Sequence, residues 1–346
     1  MLRNSKIVTL FIPMFMVCVL FGAMSSTDAH AKAKWRIKVA TLAPKSVGWA
    51  KNIRKIMHPA IKKATNGNVK LKWYWGGVMG DDKDYIDKMK IGQIDGAAFS
   101  GQGTVIACPE MAVLELPFLF RNYAEVDHIR DSMRATFDKI SAKNGYKLII
   151  WSDQDFDQIY SIKYEMNKLT DFQNARIITW YGTLEQTVLE TLGASPIPVG
   201  VPEIVSSMRQ GIADTVIAPS IAVVGFQMYT IIKYVNPMNI RYSPACCFVR
   251  LDFWKKIPKE YQQKLDGVRN NEAITFREKC REDSKKAYDA MIKYGMKESN
   301  LTGEQLNLIQ KKCETVWDTL AGRLYSKALL QEVKDRLAEF RAKQGQ

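Results

Sequence analysis

The chain has 346 residues, 47% hydrophobic and 25% charged, with a formal net charge of +14. This ordinary globular usage excludes a disordered, collagen-like or low-complexity chain. Lysines and arginines are spread over expected helix faces in 36–90 and 255–343. The charge therefore reads as a solvated basic surface, not a nucleic-acid footprint.

Arg3 and Lys6 precede an apolar run from Ile7 to Met24 and an Ala29-His30-Ala31 site. That is the pattern of a cleaved secretory signal over residues 1–31. A membrane anchor needs a similar length, but the small-residue site favours cleavage. No Leu-x-Gly-Cys run precedes the mature start, which argues against a lipoprotein. The remainder is too long for one typical core and suits two domains. The most apolar later stretch, 212–235, is broken by Asp214, Pro219, Gly225 and Lys233 and reads as buried strand and helix. A soluble, exported protein that is not membrane-embedded is expected. Of six cysteines, Cys18 falls in the leader. Cys108, Cys246, Cys247, Cys280 and Cys313 remain, an odd number. A Cys280–Cys313 bridge is open if their two helices pack together.

The mature chain opens on an alternating strand, Trp35–Ala40, and a loop to Gly48. A helix follows with Trp49, Ile53, Ile56, Ala60 and Ala64 on one stripe, stopped at Asn66-Gly67. The next strand puts Val69, Leu71, Trp73 and Trp75 on one face. Glycines 76, 77 and 80 mark a loop before a short helix over 83–90. Met89-Lys90-Ile91-Gly92-Gln93-Ile94-Asp95 then enters an apolar strand. Met208-Arg209-Gln210-Gly211-Ile212-Ala213-Asp214 does the same later. Each reads as a helix closed by a glycine and turned into a buried strand, which suggests two lobes of related α/β architecture. Between the echoes, the spacing predicts a helix over 123–143 and strands over Lys147–Trp151 and Arg176–Thr179. A helix over Thr183–Leu192, an extended Pro196–Pro198 and a helix from Pro202 complete this part. Helix is expected over Gly225–Tyr234 and strand over Phe248–Leu251. From Pro258 the pattern is helical, first over about 258–293, then from Thr302 with Gln305 as a capping box. Alternating β and α followed by a helical tail predicts α/β with parallel-rich sheets.

Catalytic signatures are missing. His58 and His128 lie on amphipathic helices and read as surface or satisfied residues. There is no G-x-S-x-G, H-E-x-x-H or Walker loop, and Gly101-Gln102-Gly103 is too short for a dinucleotide site. Asp153, Asp155 and Asp157 resemble the start of a calcium loop but lack its turn glycine and distal glutamate, and with Asp81-Asp82 they read as loop acids. No metal or cofactor is expected. An exported two-lobed protein of this kind points to ligand capture in a cleft, not to an enzyme.

Six ordered motifs then carry a family resemblance over 35–340. They are Val39-Ala40-Thr41-Leu42-Ala43-Pro44 with Trp49, Gly76–Asp82, Gly92-Gln93-Ile94-Asp95, Pro109–Arg121, Gly193–Pro198 and Tyr242-Ser243-Pro244-Ala245. Together they resemble the solute-binding subunits of tripartite ATP-independent periplasmic (TRAP) transporters, of the dicarboxylate-binding-protein (DctP) type. The resemblance implies a two-lobed, class II-like periplasmic binding fold with an interlobe cleft, hinge strands and a long bracing helix. Lobe 1 would span 32–154 plus about 241–270, lobe 2 would span 155–240, and helices in 271–346 would pack on both. It also implies a periplasmic location, closure on a small molecule and delivery to permease subunits driven by an ion gradient. A monomer or a dimer fits.

The chain departs from the family pattern where relatives grip a carboxylate. The family arginine position holds Ile178, and Arg176 lies two residues earlier, about 6–7 Å along the strand. A second family arginine aligns with Asp157, and a polar amide becomes Ala218. A buried carboxylate without a cation costs several kcal/mol. An apolar, aromatic or cationic ligand is therefore expected, with Asp157 steadying a cation or pairing internally. Trp49, Phe156, Trp180, Tyr181 and Val201 align with pocket walls, and Ser100 falls where some members place an acid. Trp180 and Tyr181 also suit a core or surface role. Shifting the alignment by one residue at 176–178 restores an arginine and an organic-acid ligand. A carrier or scaffold for a lipophilic molecule on the same fold is the other alternative.

Overall fold

The computed structural model describes residues 33–345 apart from Tyr181. The signal expected over 1–31 lies outside the described residues. The chain runs through β1 (Trp35–Thr41), α1 (Gly48–Asn52), a π-turn over Ile53–Met57, α2 (His58–Ala64), β2 (Val69–Tyr74), α3 (Asp82–Lys90), β3 (Gly96–Ser100), α4 (Gln102–Ala107) and α5 (Tyr123–Lys143). It continues through β4 (Tyr146–Ser161), α6 (Leu169–Asn174), β5 (Arg176–Thr179), α7 (Thr183–Thr191), β6 (Ser195–Pro198), α8 (Ile204–Arg209), β7 (Thr215–Ala218), α9 (Ser220–Gly225) and β8 (Tyr234–Arg250). It ends with α10 (Leu251–Trp254), α11 (Lys259–Lys293), β9 (Lys297–Glu298), α12 (Gly303–Leu320) and α13 (Lys327–Lys343). No helix among the described residues is long and apolar enough to cross a membrane.

The strands follow the order β2-β1-β3-β8-β4-β7-β5-β6, with β9 beside β8. The two flanks are parallel: β1 pairs with β2 and β3, and β5 pairs with β6 and β7. Antiparallel pairs join them, β3 to the end of β8, β8 to β4, and β4 to β7. Only β4 and β8 run through both halves. The first flank pairs with β8 at 245–249, the second with β4 at 158–161.

These two strands are much longer than the sequence pattern suggests. The strand expected over Lys147–Trp151 runs on to Ser161, and that expected from Phe248 starts at Tyr234. Helix does not fill 225–234, because α9 stops and Gln227 turns into the left-handed region at φ 59°. Asp153, Asp155 and Asp157 are strand residues, not loop acids. Acids on one strand and Pro237 and Pro244 on the other broke the apolar alternation that marks a strand. Pro244 stands opposite Asp153, where the register shifts between Asp153 and Asp155. A second shift falls between Asp157 and Ile159. Such irregularities bend and twist a strand locally; these two lie where β4 and β8 pass from one half to the other, while a third, between Leu148 and Ile150, lies beside the first flank.

The two sequence echoes occupy matching places in the two flanks. Gly92 and Gly211 take φ of 75° and 71°. The N–H groups of Gly92 and Gln93 bond the carbonyls of Met89 and Lys88, and those of Gly211 and Ile212 bond Met208 and Ser207. Each chain reversal is thus a glycine-closed helix end. The aspartates then button the new strand to its neighbour. Asp95 accepts from the Lys38 N–H at 2.8 Å, and Asp214 from the Arg176 N–H at 3.0 Å. The Asp95 and Asp214 N–H groups return the bond to the carbonyls of Lys38 and Arg176.

Helix α11 braces both halves. It packs on β4, α1 and α2 and also on α9. Arg281 reaches Asp153 and Asp127, each at 2.6 Å, and the Ser284 hydroxyl donates to the Gln154 carbonyl at 2.9 Å. Arg130 of α5 pairs with the other oxygen of Asp153. Beyond it, α12 packs on α7 and α6 while α13 packs on α5. Thr302 caps α12 by accepting from the Gln305 N–H. The Gln305 side chain accepts from the Leu169 N–H at 3.2 Å, joining the tail to α6. The expected Cys280–Cys313 bridge does not form. All five described cysteines are free and buried, and these two face different cores, Cys280 beside Asn52 and Cys313 with Ile309, Val316 and Leu320.

The aspartate buttons are buried, so removing one strands a strand N–H, and at Asp214 also the Arg176 ion pair. Asp214→Ala is expected to lower the unfolding free energy by about 1–3 kcal/mol, and Asp95→Ala similarly. Urea denaturation of the two variants measures this, and a change below about 0.5 kcal/mol in both would refute the role.

Candidate ligand-binding cavity

Where β4 and β8 cross, the two halves face each other across a cavity of about 40 Å³. That is room for about three water molecules, so the halves stand closed. The first half contributes the β1–α1 turn (Thr41 to Trp49), Asp82 at the start of α3, and Ala98, Phe99 and Ser100 of β3. The second contributes Trp180, Val201 and the α9 face of Ile221, Ala222, Gly225 and Phe226, with Gln154 between them. Closure is direct. The Asp81 carboxylate, which caps α3 in a box with Asp84, also accepts from the Val201 N–H at 3.0 Å. Gly48 (φ 51°) lies so close to α9 that a Cβ there would stand 2.7 Å from Ile221 Cγ1.

The wall is mostly apolar, and the lining among the described residues holds no Lys, Arg or His. Its one ionisable group among the described residues is Asp82, 3% exposed. Oδ2 of Asp82 accepts from the Gly103 N–H at 3.2 Å, and Oδ1 has no partner. Burial raises the Asp82 pKa well above the carboxylate range, the Asp81 charge adds to this, and the Gly103 N–H opposes it.

Of the residues expected at the site, the structure brings together Trp49, Ser100, Trp180 and Val201 on this wall. Trp49 is backed by Trp73 (5.9 Å between ring centres) and Trp75 (6.4 Å). Tyr181 lies outside the described residues. Phe156, Asp157, Arg176, Ile178 and Ala218 are not in the lining. Phe156 packs in the core against Tyr123 and Tyr242, and Ile178 and Ala218 are fully buried. Arg176 is not a ligand arm in this arrangement, because Asp214 holds it at 3.3 Å on the outer side of β5.

Of the two expectations for Asp157, a ligand contact or an internal pair, the structure shows an internal pair. Asp157 is fully buried and pairs at 2.7 Å with Arg241, its register partner on β8. Arg241 also pairs at 3.0 Å with Glu185, whose other oxygen accepts from the Trp180 N–H at 2.8 Å. This network therefore sets the backbone of a wall residue without entering the cavity. Arg241, Glu185 and Glu115 escaped the sequence reading because they come from three distant segments. Asp82 was read as a loop acid, although Gly80-Asp81-Asp82-x-Asp84 carries the spacing of a helix cap. Among the described residues no group of three or more His, Cys, Asp and Glu side chains could hold a metal ion.

The network holds more acids than its guanidinium can neutralise. Burial raises Glu115 to about 8, Arg241 pulling the other way and the Asp157 and Glu185 charges adding to the rise. Burial raises Asp157 to about 7 against the opposing pull of Arg241.

The family profile for bacterial extracellular solute-binding protein, family 7 (DctP) matches residues 39–323. The chain belongs to this family. Among sequence relatives, the 2,3-diketo-L-gulonate-binding periplasmic protein YiaO of Escherichia coli is 22% identical over 237 residues, covering 68% of this chain and 72% of the relative. A TRAP periplasmic solute-binding protein of Sulfurospirillum deleyianum, solved with bound succinate, superposes at a TM-score of 0.80 with 19% identity, covering 88% of this chain and 99% of that one. The sugar acid binding protein DctPAm of Advenella mimigardefordensis, solved with galactonate, gives 0.82 with 18% identity, over 88% and 98%. The fold is thus the two-lobed α/β fold of TRAP solute-binding proteins, with β4 and β8 as hinge strands, an interlobe cleft and α11 as the brace. DctP-family proteins are extracytoplasmic, bind small ligands and deliver them to membrane permeases.

The raised acids predict a signed pH dependence. Glu115 and Asp157 hold their protons more tightly folded than unfolded. Their contribution to stability is complete below about pH 4 and is lost as pH rises through about 7 and 8. Glu115→Gln removes one of these titrations. Between pH 5 and 8 the variant should gain about 2–4 kcal/mol relative to the parent, measured by urea unfolding at both values. A constant difference across that range refutes the assignment.

Proposed function

We propose that this DctP-family protein is a periplasmic TRAP solute-binding subunit whose ligand carries no carboxylate, is neutral or cationic, and is gripped by mainly apolar walls. Residues 32–154 with about 241–270 form one lobe and 155–240 the other, and the helices of 271–346 brace both. The lobes open at the β4–β8 crossing, admit the solute, close, and present it to the permease subunits. The protein acts by capture and release, not by turnover.

One observation carries the ligand reading: no cation lines the cavity among the described residues. The relatives named above were solved with succinate and galactonate. Such an anion between these walls would lose its hydration without gaining a guanidinium, at a cost of several kcal/mol. The nearest candidates for that role are engaged elsewhere, Arg241 by Asp157 and Glu185 and Arg176 by Asp214. The apolar wall equally suits a lipophilic molecule, which makes the carrier role the second reading.

A thermal-shift panel of the mature protein separates these. Succinate, galactonate and benzoate are expected to leave the melting temperature unchanged at millimolar concentration. A neutral or cationic solute at 100 times its Kd adds about 2.7 kcal/mol, a rise of several degrees. Stabilisation by carboxylates alone would sink the reading, and turnover of any solute would replace capture with catalysis.

A further inference from the structure

We propose that the edge of the first half built from β1, α1, α2 and β2 is a docking surface for a membrane, held against anionic phospholipid headgroups. The inference uses the family's delivery of solutes to membrane permeases. It does not use the ligand reading of the cavity, which stands or falls separately.

The charge of the chain is concentrated. Residues 33–80 hold eleven lysines and arginines and no aspartate or glutamate, whereas 81–346 hold 36 cations and 35 acids. The net positive charge of the described residues therefore lies almost wholly in the segment that forms β1, α1, the π-turn, α2 and β2. In the fold that segment is an edge, because β2 ends the strand order beside β1.

Its cations face outward without acids. On the strands Arg36, Lys70 and Lys72 are exposed, and the register sets Arg36 beside Lys70 and Lys38 beside Lys72. Like charges so placed repel one another. On the π-turn and α2, Arg54, Lys55, Lys62 and Lys63 are exposed as well. Among the described residues the one ion pair made by this segment is Lys51 with Asp283 of α11. Strand and helix cations act as one field. Burial lowers the pKa of His58 on α2, and the charges of Arg54 and Lys70 lower it further. Lysines on an edge strand also discourage strand addition, but that role asks nothing of α2 or the π-turn.

The spread of the charge favours a plane of anions over a compact ligand. Each lysine or arginine held near an anionic bilayer strengthens binding about fivefold, without needing a groove or a fixed geometry. The same strands carry half-buried Trp35, Trp73 and Tyr74, with Trp75 stacked 4.6 Å from Trp73. Tryptophan and tyrosine suit the headgroup level of a bilayer. A carrier held at the membrane meets its permease at a raised effective concentration.

The test is co-sedimentation of the mature protein with vesicles of phosphatidylcholine alone, or of equal parts phosphatidylcholine and phosphatidylglycerol. At about 0.01 M salt the protein is expected to bind the anionic vesicles at least about tenfold tighter, and to lose most of that preference at about 0.15 M. Arg36→Glu/Lys70→Glu/Lys72→Glu and Arg54→Glu/Lys62→Glu/Lys63→Glu should each weaken binding about tenfold or more. Lys311→Glu/Arg323→Glu/Lys327→Glu makes the same change in net charge on exposed positions of the helical tail and should keep binding within about threefold. Melting curves confirm the fold of each variant. Equal binding to both vesicles at low salt overturns the inference and leaves the edge to an acidic protein partner. A tail variant that weakens binding as much as the edge variants also overturns it, because net charge alone would then explain the attraction. The lipid and salt preference of the parent tests the claim even where a variant fails to fold.

Discussion

Two strands that belong to both halves of the molecule impose the constraint on which the rest depends. β4 and β8 pair from Tyr146–Arg250 at one end to Ser161–Tyr234 at the other. Neither half can leave without breaking this ladder, and two of its register shifts lie between the halves. At that crossing β4 places Asp153, and two guanidinium groups from separate helices converge on it, Arg130 of α5 and Arg281 of α11. The brace is thereby fixed to the hinge and not merely to the outer faces. A buried carboxylate flanked by two cations is stable only as a set, because losing one partner leaves an uncompensated charge.

The same chain separates its charges from its cavity. Asp157 faces Arg241 across the ladder and Glu185 completes the group, while Arg176 is tied to Asp214 within the strand-buttoning motif. Each of these arginines meets an acid supplied by the chain itself. The cavity keeps aromatic and aliphatic walls and one acid, Asp82. Asp82 is held there by the Gly103 N–H on Oδ2, while its Oδ1 is buried without a partner.

Much of the fold was legible in the sequence. The 3.6-residue stripe of 123–143 and the capping residue Thr302 located their helices, because helix periodicity and caps are local signals. The paired Met-x-x-Gly echoes were readable for the same reason, and they proved to be matching helix-to-strand turns. The long hinge strands were not legible. Their middles carry Asp153, Asp155, Asp157 and Pro244, residues that mean a loop when seen locally and are satisfied only by partners far along the chain. Arg176, two residues before Ile178, is a strand residue whose N–H is held by Asp214, as that of Lys38 is held by Asp95 at the matching place of the other echo.

By itself the sequence determined that this is an α/β chain with two related halves, a helical tail and the ordered motifs of its family, because hydrophobic period, caps and glycine turns act over a few residues. Four residues that the resemblance pointed to, Trp49, Ser100, Trp180 and Val201, lie together on the cavity wall. Only the tertiary structure decided which charges neutralise one another. It took Asp157 out of the cleft by setting Arg241 opposite, and it put Asp82 in by closing Gly103 over it. Ion pairing and desolvation depend on distances between segments that lie tens to hundreds of residues apart, and no local pattern records those distances.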